Sequence, residues 1–273
     1  MASPRKTTLF FKYAEWLFLA PSLLLIVLLA LPVFSLLWRA GMDGMFHFVT
    51  EPRALSALRL SLLTSSISTL TAVITGTPLA FVLARGKFKN KTLLELAIDL
   101  PVVLPPSVAG IALLIAFGRQ GLFGEWFGMF GITIPFTTAA VILAQTFVSA
   151  PLFVRSARIG FAEVDPQILE AAYVEGSNNW QVFRHIMIPL SGRAILSGSI
   201  LTWTRAIGEF GATILFAGNL EGVTQTMPLA IYLGLERSLG IAIALSSLLV
   251  IVSILLLLLT RRLESHKEET RDY

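Results

Sequence analysis

Two charged residues inside a long apolar run are the first candidates for chemistry in this sequence. Arg205 and Glu209 are the only charged residues between positions 194 and 220. Their i,i+4 spacing would place them on one helix face, where they can form an ion pair. One interpretation is a structural ion pair that locks helices together, and the other is that Arg205 attracts an anion directly. Gly208 and Gly211 beside them would allow backbones to pack closely, as a gate requires.

A second candidate site lies at residues 170–189, in the longest polar interval of the chain. Residues 167–175 predict a helix, because Asp165 can cap it and Pro166 suits its first turn. Glu170 then lies early in the helix, where a carboxylate favours the positive end of the helix dipole. A polar helix of this kind differs from the rest of the chain, which is mostly apolar.

The rest of this interval predicts a turn and a second helix. Gly176 can end the first helix in a left-handed conformation. Residues 180–188 predict a short second helix that is closed by Pro189. Ala171 and Ala172 give a small-residue surface that another protein could approach closely. We call this helix–turn–helix arrangement, residues 170–189 with the capping residues before them, the knob.

Both candidate sites must be positioned by helices that are long enough to cross a membrane. Hydrophobic residues make up 55% of the chain and charged residues only 14%, which is outside the range of ordinary soluble proteins. Six apolar runs reach the roughly 20 residues that a helix needs to cross the hydrocarbon core. The runs are residues 16–38, 60–84, 100–118, 126–154, 194–220 and 238–260. In the fourth run we expect the helix to start near Thr137 and to end close to Pro151.

The distribution of lysine and arginine predicts how these spans are oriented. Of the 21 basic residues, fifteen lie in the two terminal segments and in the loops after the second and fourth spans. Five lie on the opposite side, and Arg205 lies within a span. Because cytoplasmic loops are rich in lysine and arginine, both termini and the knob are predicted to be cytoplasmic. The sequence therefore predicts a multi-pass protein of the inner (cytoplasmic) membrane, surrounded by lipid.

A proline-rich segment at residues 99–110 interrupts the third run. Pro101, Pro105 and Pro106 remove backbone donors and should bend or break a helix there. Irregular backbone survives at membrane depth only against protein or a water-filled cavity, so we expect this span to be interior. A simple proline kink near the cytoplasmic end is the alternative interpretation.

The sequence lacks the residues that several classes of function need. The chain has no cysteine and no G-x-x-x-x-G-K-[ST] motif for binding ATP. Neither H-E-x-x-H nor G-x-S-x-G occurs, and His47, His185 and His266 are scattered. We therefore expect no enzyme, no metal site and no cofactor bound by this chain. The net charge of +4 is spread over short loops, so nucleic acid is not an expected partner.

The spacing within the knob resembles the cytoplasmic loop of ABC importer permeases. That loop has Glu-Ala-Ala, three residues, Gly, nine residues and Ile-x-Leu-Pro. The matching residues here are Glu170, Ala171, Ala172, Gly176, Ile186 and Pro189. The one departure is Ile188 in place of leucine, a swap of similar volume.

Two further runs resemble the branch of that superfamily that transports molybdate, tungstate and sulfate. The proline-rich segment follows the pattern D-L-P-x-x-x-P-P/H-x-x-x-G, and residues 205–212 follow R-A-x-G-E-F-G-A. The three motifs occur in the expected order, and the resemblance extends from the first span to the tail.

The resemblance implies an all-α integral membrane protein with the type I permease fold of ABC importers. Such a subunit has six transmembrane helices and a cytoplasmic coupling helix, here in the knob. The chain would be one permease domain, residues 1–273. Its membrane core would span about 12–262, its coupling loop about 155–193 and its charged cytoplasmic tail 263–273.

The resemblance also implies partners and a substrate. The permease would be a homodimer, with two ATP-binding cassette ATPase subunits on the cytoplasmic side and an oxyanion-binding protein outside. ATP and Mg would bind to the ATPase subunits. The implied function is uptake of an oxyanion by alternating access. Molybdate is favoured over tungstate, sulfate and thiosulfate, because residues 218–228 look more like molybdate permeases.

A different class of function also fits the intramembrane charges. A stand-alone anion channel or an ion-coupled secondary carrier could use Arg205 and Glu209 as a gating or proton-relay pair. Such a protein would transport without any ATPase. A third class, an intramembrane enzyme, would need a catalytic cluster that the sequence does not contain.

Overall fold

The computed structural model describes residues 5–42 and 52–269, and the regular elements among them are helices. In chain order the first six are α1 (Arg5–Met42), α2 (Pro52–Arg85), α3 (Lys91–Val103), α4 (Pro106–Phe117), α5 (Gly124–Met129) and α6 (Thr138–Glu163). They are followed by α7 (Pro166–Val174), α8 (Asn179–Leu190), α9 (Gly192–Ile207), α10 (Gly211–Phe216), α11 (Met227–Arg237) and α12 (Leu239–Glu269). His47 and the last four residues of the predicted tail lie outside the described residues.

Three helices of the described ranges are long and apolar enough to cross a membrane unbroken. They are Pro21–Met42 within α1, together with α2 and α6. Two helix pairs would each form a bent span: α3 with α4, at 116°, and α8 with α9, at 70°. The shorter apolar stretch Leu239–Leu255 opens α12. Each of the six predicted runs corresponds to one of these elements, but α9 ends at Ile207, well before the predicted residue 220.

Helix α6 begins where the sequence predicts and ends later than it predicts. Thr137 caps it, accepting a hydrogen bond from the amide of Ala140 at 3.3 Å. The expected end close to Pro151 is wrong, because α6 continues to Glu163. Pro151 is buried where α6 packs along α2 and α9. Neighbouring helices can hold a membrane helix together across a proline, and here they do.

The apolar core is divided between the two ends of the bundle. At the knob end, α2, α6, α7 and α8 share what we call the knob cluster, whose buried members include Leu83, Phe153, Phe161, Ala172 and Met187. At the other end, α4, α6 and α10 share a second cluster that includes Leu113 and Phe216. Between them, the hydroxyl of Ser68 on α2 faces α6, and its Oγ donates to the Ile142 carbonyl at 3.0 Å. Helix α6 therefore runs through both clusters and connects them.

Small residues let α6 and α9 approach each other closely, and this contact supports a stability prediction. A Cβ added at Gly160 would overlap the Cβ of Ala194. We expect Gly160→Ala to lower the free energy of unfolding in detergent by about 1–3 kcal/mol, because overpacking forces the two helices apart. Gly192→Ala is the matched control, since a Cβ there meets no atom within 4 Å. Equal stability of the two variants would contradict the prediction.

Helix α1 lies at the edge of the bundle. Its main contact in the described part of the chain is with α12. Most of its described side chains are exposed and apolar, including Leu24 and Leu28. A helix that is hydrophobic all round is suited to a lipid environment rather than to water.

Candidate functional site

The Arg205–Glu209 pair lies where one helix ends and another begins. Arg205 is in the last turn of α9, which ends at Ile207, and Glu209 lies in the short break before α10. Arg205 Nη1 is 2.6 Å from Glu209 Oε2. Glu209 Oε1 accepts a hydrogen bond from the Ala212 amide at 2.9 Å. The carboxylate therefore connects the two helices across the break.

The two members of this pair differ in exposure. The side chain of Glu209 is 2% exposed, whereas that of Arg205 is 37% exposed. A buried carboxylate is tolerated when it is paired and hydrogen-bonded, and both oxygens of Glu209 have partners. The guanidinium keeps an open side. The arrangement can hold the helix break in place while Arg205 presents further N–H donors to whatever lies beside it.

The break itself differs from the single helix predicted for residues 194–220. After α9 ends, the amide of Glu209 bonds the carbonyl of Ala206 at 3.1 Å in a tight turn. Glu209 then accepts the Ala212 amide, which would otherwise have no partner in the first turn of α10. The carboxylate thus begins a new helix instead of extending the old one. Sequence periodicity could not show this, because both conformations keep Arg205 within reach of Glu209.

The two glycines beside the pair have different surroundings. A Cβ added at Gly211 would lie 2.5 Å from the Cβ of Pro106, so α10 touches the start of α4. At Gly110 an added Cβ would lie 3.0 Å from a backbone oxygen of α10. At Gly208 the nearest atom is the Thr204 oxygen, at 3.7 Å. Among the described residues, close backbone approach therefore occurs at Gly211 and not at Gly208.

The proline-rich segment forms a second helix break beside the first. Helix α3 ends at Val103, α4 begins at Pro106, and the two axes differ by 116°. Pro101 lies inside α3, whereas Pro105 lies in the break with extended backbone. The contact between Pro106 and Gly211 brings the two breaks together. The sequence indicates the proline break but neither the break after α9 nor the contact between the two.

The first helix of the knob has the ends that the sequence predicts. Asp165 Oδ1 accepts the amide two residues further on, at 2.9 Å. Gly176 has a φ of +90°. The amide of Gly176 bonds the carbonyl of Tyr173, and the amide of Ser177 bonds that of Ala172, both at 3.0 Å. These two bonds are the Schellman pattern, which closes a helix at a left-handed residue.

The second helix of the knob departs from the prediction. Pro189 does not close α8, which continues one residue further. The segment Phe183–Met187 is π-helical, and the amide of Ile188 bonds the carbonyl of Phe183, five residues back. Proline fits in the first turn of a helical segment, where an amide is not needed. The change of hydrogen-bond register at Ile188 makes Pro189 such a position.

The six motif residues of the knob divide into an exposed set and an inward set. The exposed residues are Glu170, Ala171, Gly176 and Pro189. Ala172 is buried, and Ile186 packs against the knob cluster. The knob surface also carries large apolar side chains that the sequence motif does not include. Val174 is 88% exposed and Trp180 is 62% exposed, and exposed apolar groups beside a charged residue are suited to a protein contact.

The structure also brings four charged residues together in two ion pairs that were not predicted from the sequence. Arg155 Nη2 is 2.9 Å from Asp99 Oδ2, and Arg158 Nη1 is 2.5 Å from Glu95 Oε1. One signal could have indicated them. The acids are spaced i,i+4 on α3 and the arginines i,i+3 on α6, so each pair of like charges lies on one helix face. Within the described ranges, no group of three or more His, Cys, Asp or Glu is arranged to hold a metal ion.

Comparison with solved structures supports the fold. The chain aligns with a subunit of a bacterial ABC transporter that imports the acidic polysaccharide alginate, with a TM-score of 0.77 and 15% identity. This alignment covers 97% of the present chain and 99% of the other. The MetNI methionine ABC transporter aligns with a TM-score of 0.57 and 16% identity, over 77% and 92% of the two chains. At such identities the likeness concerns the fold alone.

Comparison of sequences supports the family. The profile for the binding-protein-dependent transport system inner membrane component matches residues 76–267. The chain is 42% identical to the molybdenum transport system permease protein ModB of Mycobacterium tuberculosis, over 89% of this chain and 92% of the relative. It is 40% identical to the probable transport system permease protein NifC of Clostridium pasteurianum, over 90% and 86%. The sulfate transport system permease protein CysT of Escherichia coli K12 is 33% identical, over 90% and 91%. The chain therefore belongs to the family of binding-protein-dependent transport system inner membrane components, the permease subunits of ABC importers, and is a transport subunit rather than an enzyme.

Proposed function

We propose that this permease imports a tetrahedral oxyanion, molybdate in preference to tungstate, sulfate or thiosulfate, as a homodimer driven by two ATPase subunits. The observation that carries the ATP-driven mechanism is the knob, a helical pair with an exposed motif at one end of the bundle. The choice of molybdate rests on relatives that are named molybdenum transport permeases and are 41–42% identical over 76–89% of the chain, one of them ModB. Two relatives that are named sulfate permeases are less similar, at 33% and 37%.

The knob is the proposed contact with the ATPase. Glu170 and Ala171 are exposed on α7, and the knob also exposes Val174 on α7 and Trp180 on α8. A carboxylate beside small and apolar side chains can fit a groove that offers a cation and an apolar wall. ATP and Mg would bind to the partner, since this chain has no phosphate-binding loop.

The proposed orientation follows from the basic residues. Fifteen of the 21 lysines and arginines lie on the side that holds the termini and the knob. Because this bias marks the cytoplasmic side, the ATPase would meet the knob there, and an extracytoplasmic binding protein would deliver the anion to the opposite face.

The two helix breaks are the proposed gate region of the pathway. Glu209 already neutralises Arg205, so the guanidinium can guide an anion without holding it tightly, which passage through a pore requires. Gly208 is exposed, and a second copy of the chain could approach there. Closure of the ATPase pair would bring the two knobs together and open this region outward, and hydrolysis would return it to the inward state.

Reconstitution tests the proposal. Proteoliposomes that contain the permease, its ATPase and its binding protein should accumulate molybdate only when ATP is supplied. Sulfate, presented in the same way, should be taken up more slowly. Vesicles that contain the permease alone should show no uptake. Anion flux through the permease alone would instead support the channel or secondary-carrier alternative.

A further inference from the structure

Helix α3 is short and has irregular backbone at both ends. A turn at residues 86–90 precedes it, and the 116° break before α4 follows it. None of its 13 residues is buried. Leu94 and Ile98 touch the knob cluster, and the main packing partner of α3 among the described helices is α6. Its position therefore depends on a small set of contacts with α6.

Two ion pairs supply specific contacts in that set, and we call them the latch. Asp99 pairs with Arg155 at 2.9 Å, and Glu95 pairs with Arg158 at 2.5 Å. About one helical turn separates the two acids, and about one turn separates the two arginines. The pairs therefore lie side by side between helices that run in opposite directions. Two adjacent pairs fix both the rotation and the register of α3 against α6, which a single pair could not do.

The latch contributes little to the stability of the folded protein. Its side chains are between 28% and 52% exposed, and ion pairs with such exposure contribute little to the free energy of folding. The ion pairs instead fix the position of α3 against α6, because each charge specifies one partner. Breaking the latch should therefore leave the bundle folded while allowing α3 to move independently of α6.

At one end, the latch is joined directly to the knob. Arg158 lies in the last two turns of α6, which ends at Glu163, and α7 starts at Pro166. Phe161 of α6 packs against Phe183 of α8, with ring centroids 6.2 Å apart. A displacement of the knob must therefore carry this end of α6 with it.

At the other end, the latch leads to the two helix breaks. Helix α3 continues through the proline break into α4. Pro106 of α4 contacts Gly211 of α10 with almost no space between them. The amide of Ala212 in α10 is held by Glu209, which pairs with Arg205. Packed contacts therefore run from the latch to the proposed gate.

We infer that Glu95, Asp99, Arg155 and Arg158 are positioning residues that transmit knob movement from α6 through α3 to the helix breaks. This inference rests on the proposed function and adds to it the connection between ATPase contact and gate. None of the four residues touches the transported anion in this scheme. They act by making α3 follow α6.

Charge reversal tests the inference in the complete complex of permease, ATPase and binding protein in proteoliposomes. Glu95→Lys with Asp99→Lys should lower the number of molybdate ions imported per ATP hydrolysed by about tenfold, as a loss of ~1.4 kcal/mol of coupling would do. Arg155→Glu with Arg158→Glu should do the same. The four substitutions together restore opposite charges across the two helices and should recover most of the ratio.

The ratio of transport to hydrolysis separates positioning from a structural role. Misfolding would reduce transport and hydrolysis together and leave their ratio unchanged, so an unchanged ratio in the reversal variants overturns the inference. Failure of the fourfold variant to recover the ratio also overturns it. If the wild-type complex shows no ATP-dependent uptake, the proposed function fails and the inference fails with it. If transport is coupled to ATP hydrolysis in the wild type and equally in the reversal variants, the inference is rejected but the proposed function is not.

Two further variants keep the test decisive. If the reversal variants do not fold, Glu95→Gln with Asp99→Asn removes the charges at nearly constant volume and should lower the ratio in the same direction. The ion pair between Arg53 and Glu221 is the control, because it has the same 2.9 Å separation as Asp99–Arg155 and lies outside the latch. Arg53→Ala with Glu221→Ala should leave the ratio unchanged. Uncoupling by this control would show that the effect is not specific to the latch and would overturn the inference.

Discussion

Glu170→Lys is expected to reduce ATP-driven uptake at least tenfold while the permease remains folded in the membrane. Glu170 is exposed on α7, so its replacement removes no buried contact within this chain. In the proposed groove of the ATPase, however, a lysine would face the cation that the carboxylate meets. A like-charge contact at an interface costs several kcal/mol, and about 1.4 kcal/mol is already tenfold in affinity. Co-purification of the ATPase with the permease, together with uptake by proteoliposomes, measures the effect.

Glu163→Lys is the matched control for this substitution. It reverses an exposed carboxylate close to the knob but outside its motif, so ATPase binding and uptake should persist. Unchanged uptake by Glu170→Lys would contradict the coupling role of the knob. Gly176→Val tests the shape of the same surface, because a β-branched residue is strained at a φ of +90°. Gly176→Asn tolerates this conformation better and should retain more ATPase binding.

Removal of either member of the Arg205–Glu209 pair is expected to lower the stability of the permease by about 2–4 kcal/mol. Arg205→Ala leaves a carboxylate that is only 2% exposed without its counter-charge. Glu209→Ala removes the counter-charge and also the hydrogen bond to the Ala212 amide. The double replacement should cost less than the sum of the two single replacements, because each one already breaks the shared contact. Thermal unfolding in detergent measures all three variants.

Glu209→Gln separates the two functions of this side chain. A glutamine keeps an oxygen that can accept the Ala212 amide but loses the negative charge. We therefore expect its stability to lie between that of the wild type and that of Glu209→Ala. Strictly additive losses in the double-mutant cycle would show that the pair contributes no coupling energy, which would exclude a structural role for it.

Substitutions in this pair should affect anion uptake differently from protein stability. If Arg205 guides the anion, Arg205→Lys should keep the charge and retain part of the uptake, although lysine cannot reproduce the planar donor geometry of arginine. If the pair only holds the break, uptake per folded molecule should not depend on the identity of the cation. Both results follow from one measurement, the uptake rate divided by the amount of folded permease.

Local patterns in the sequence predicted the features that depend on neighbouring residues. The Asp165 cap and the left-handed Gly176 were confirmed, because capping and turn chemistry act over a few residues. The all-helical fold and the family were also confirmed. The roles of Glu170, Ala171, Arg205 and Gly208 remain predictions. So do the broken-helix role of Pro101, Pro105 and Pro106, the domain limits and the orientation of the termini.

Other features depend on contacts between residues that are far apart in the chain, and the tertiary structure decided them. Helix α6 continues past Pro151 because α2 and α9 pack against it. The latch joins Asp99 to Arg155, and no local pattern specifies which acid meets which arginine.

Composition, hydrophobic run length and turn chemistry by themselves predicted a helical membrane protein with a helix–turn–helix knob, because each of these signals lies within one short segment. The spacing of the three motifs added the resemblance to permeases of ABC importers. The tertiary structure alone decided that the two helix breaks meet at Pro106 and Gly211 and that Glu209 caps a new helix. These outcomes depend on the packing of whole helices against one another. The free energy of that packing is a property of the folded bundle and not of any single segment.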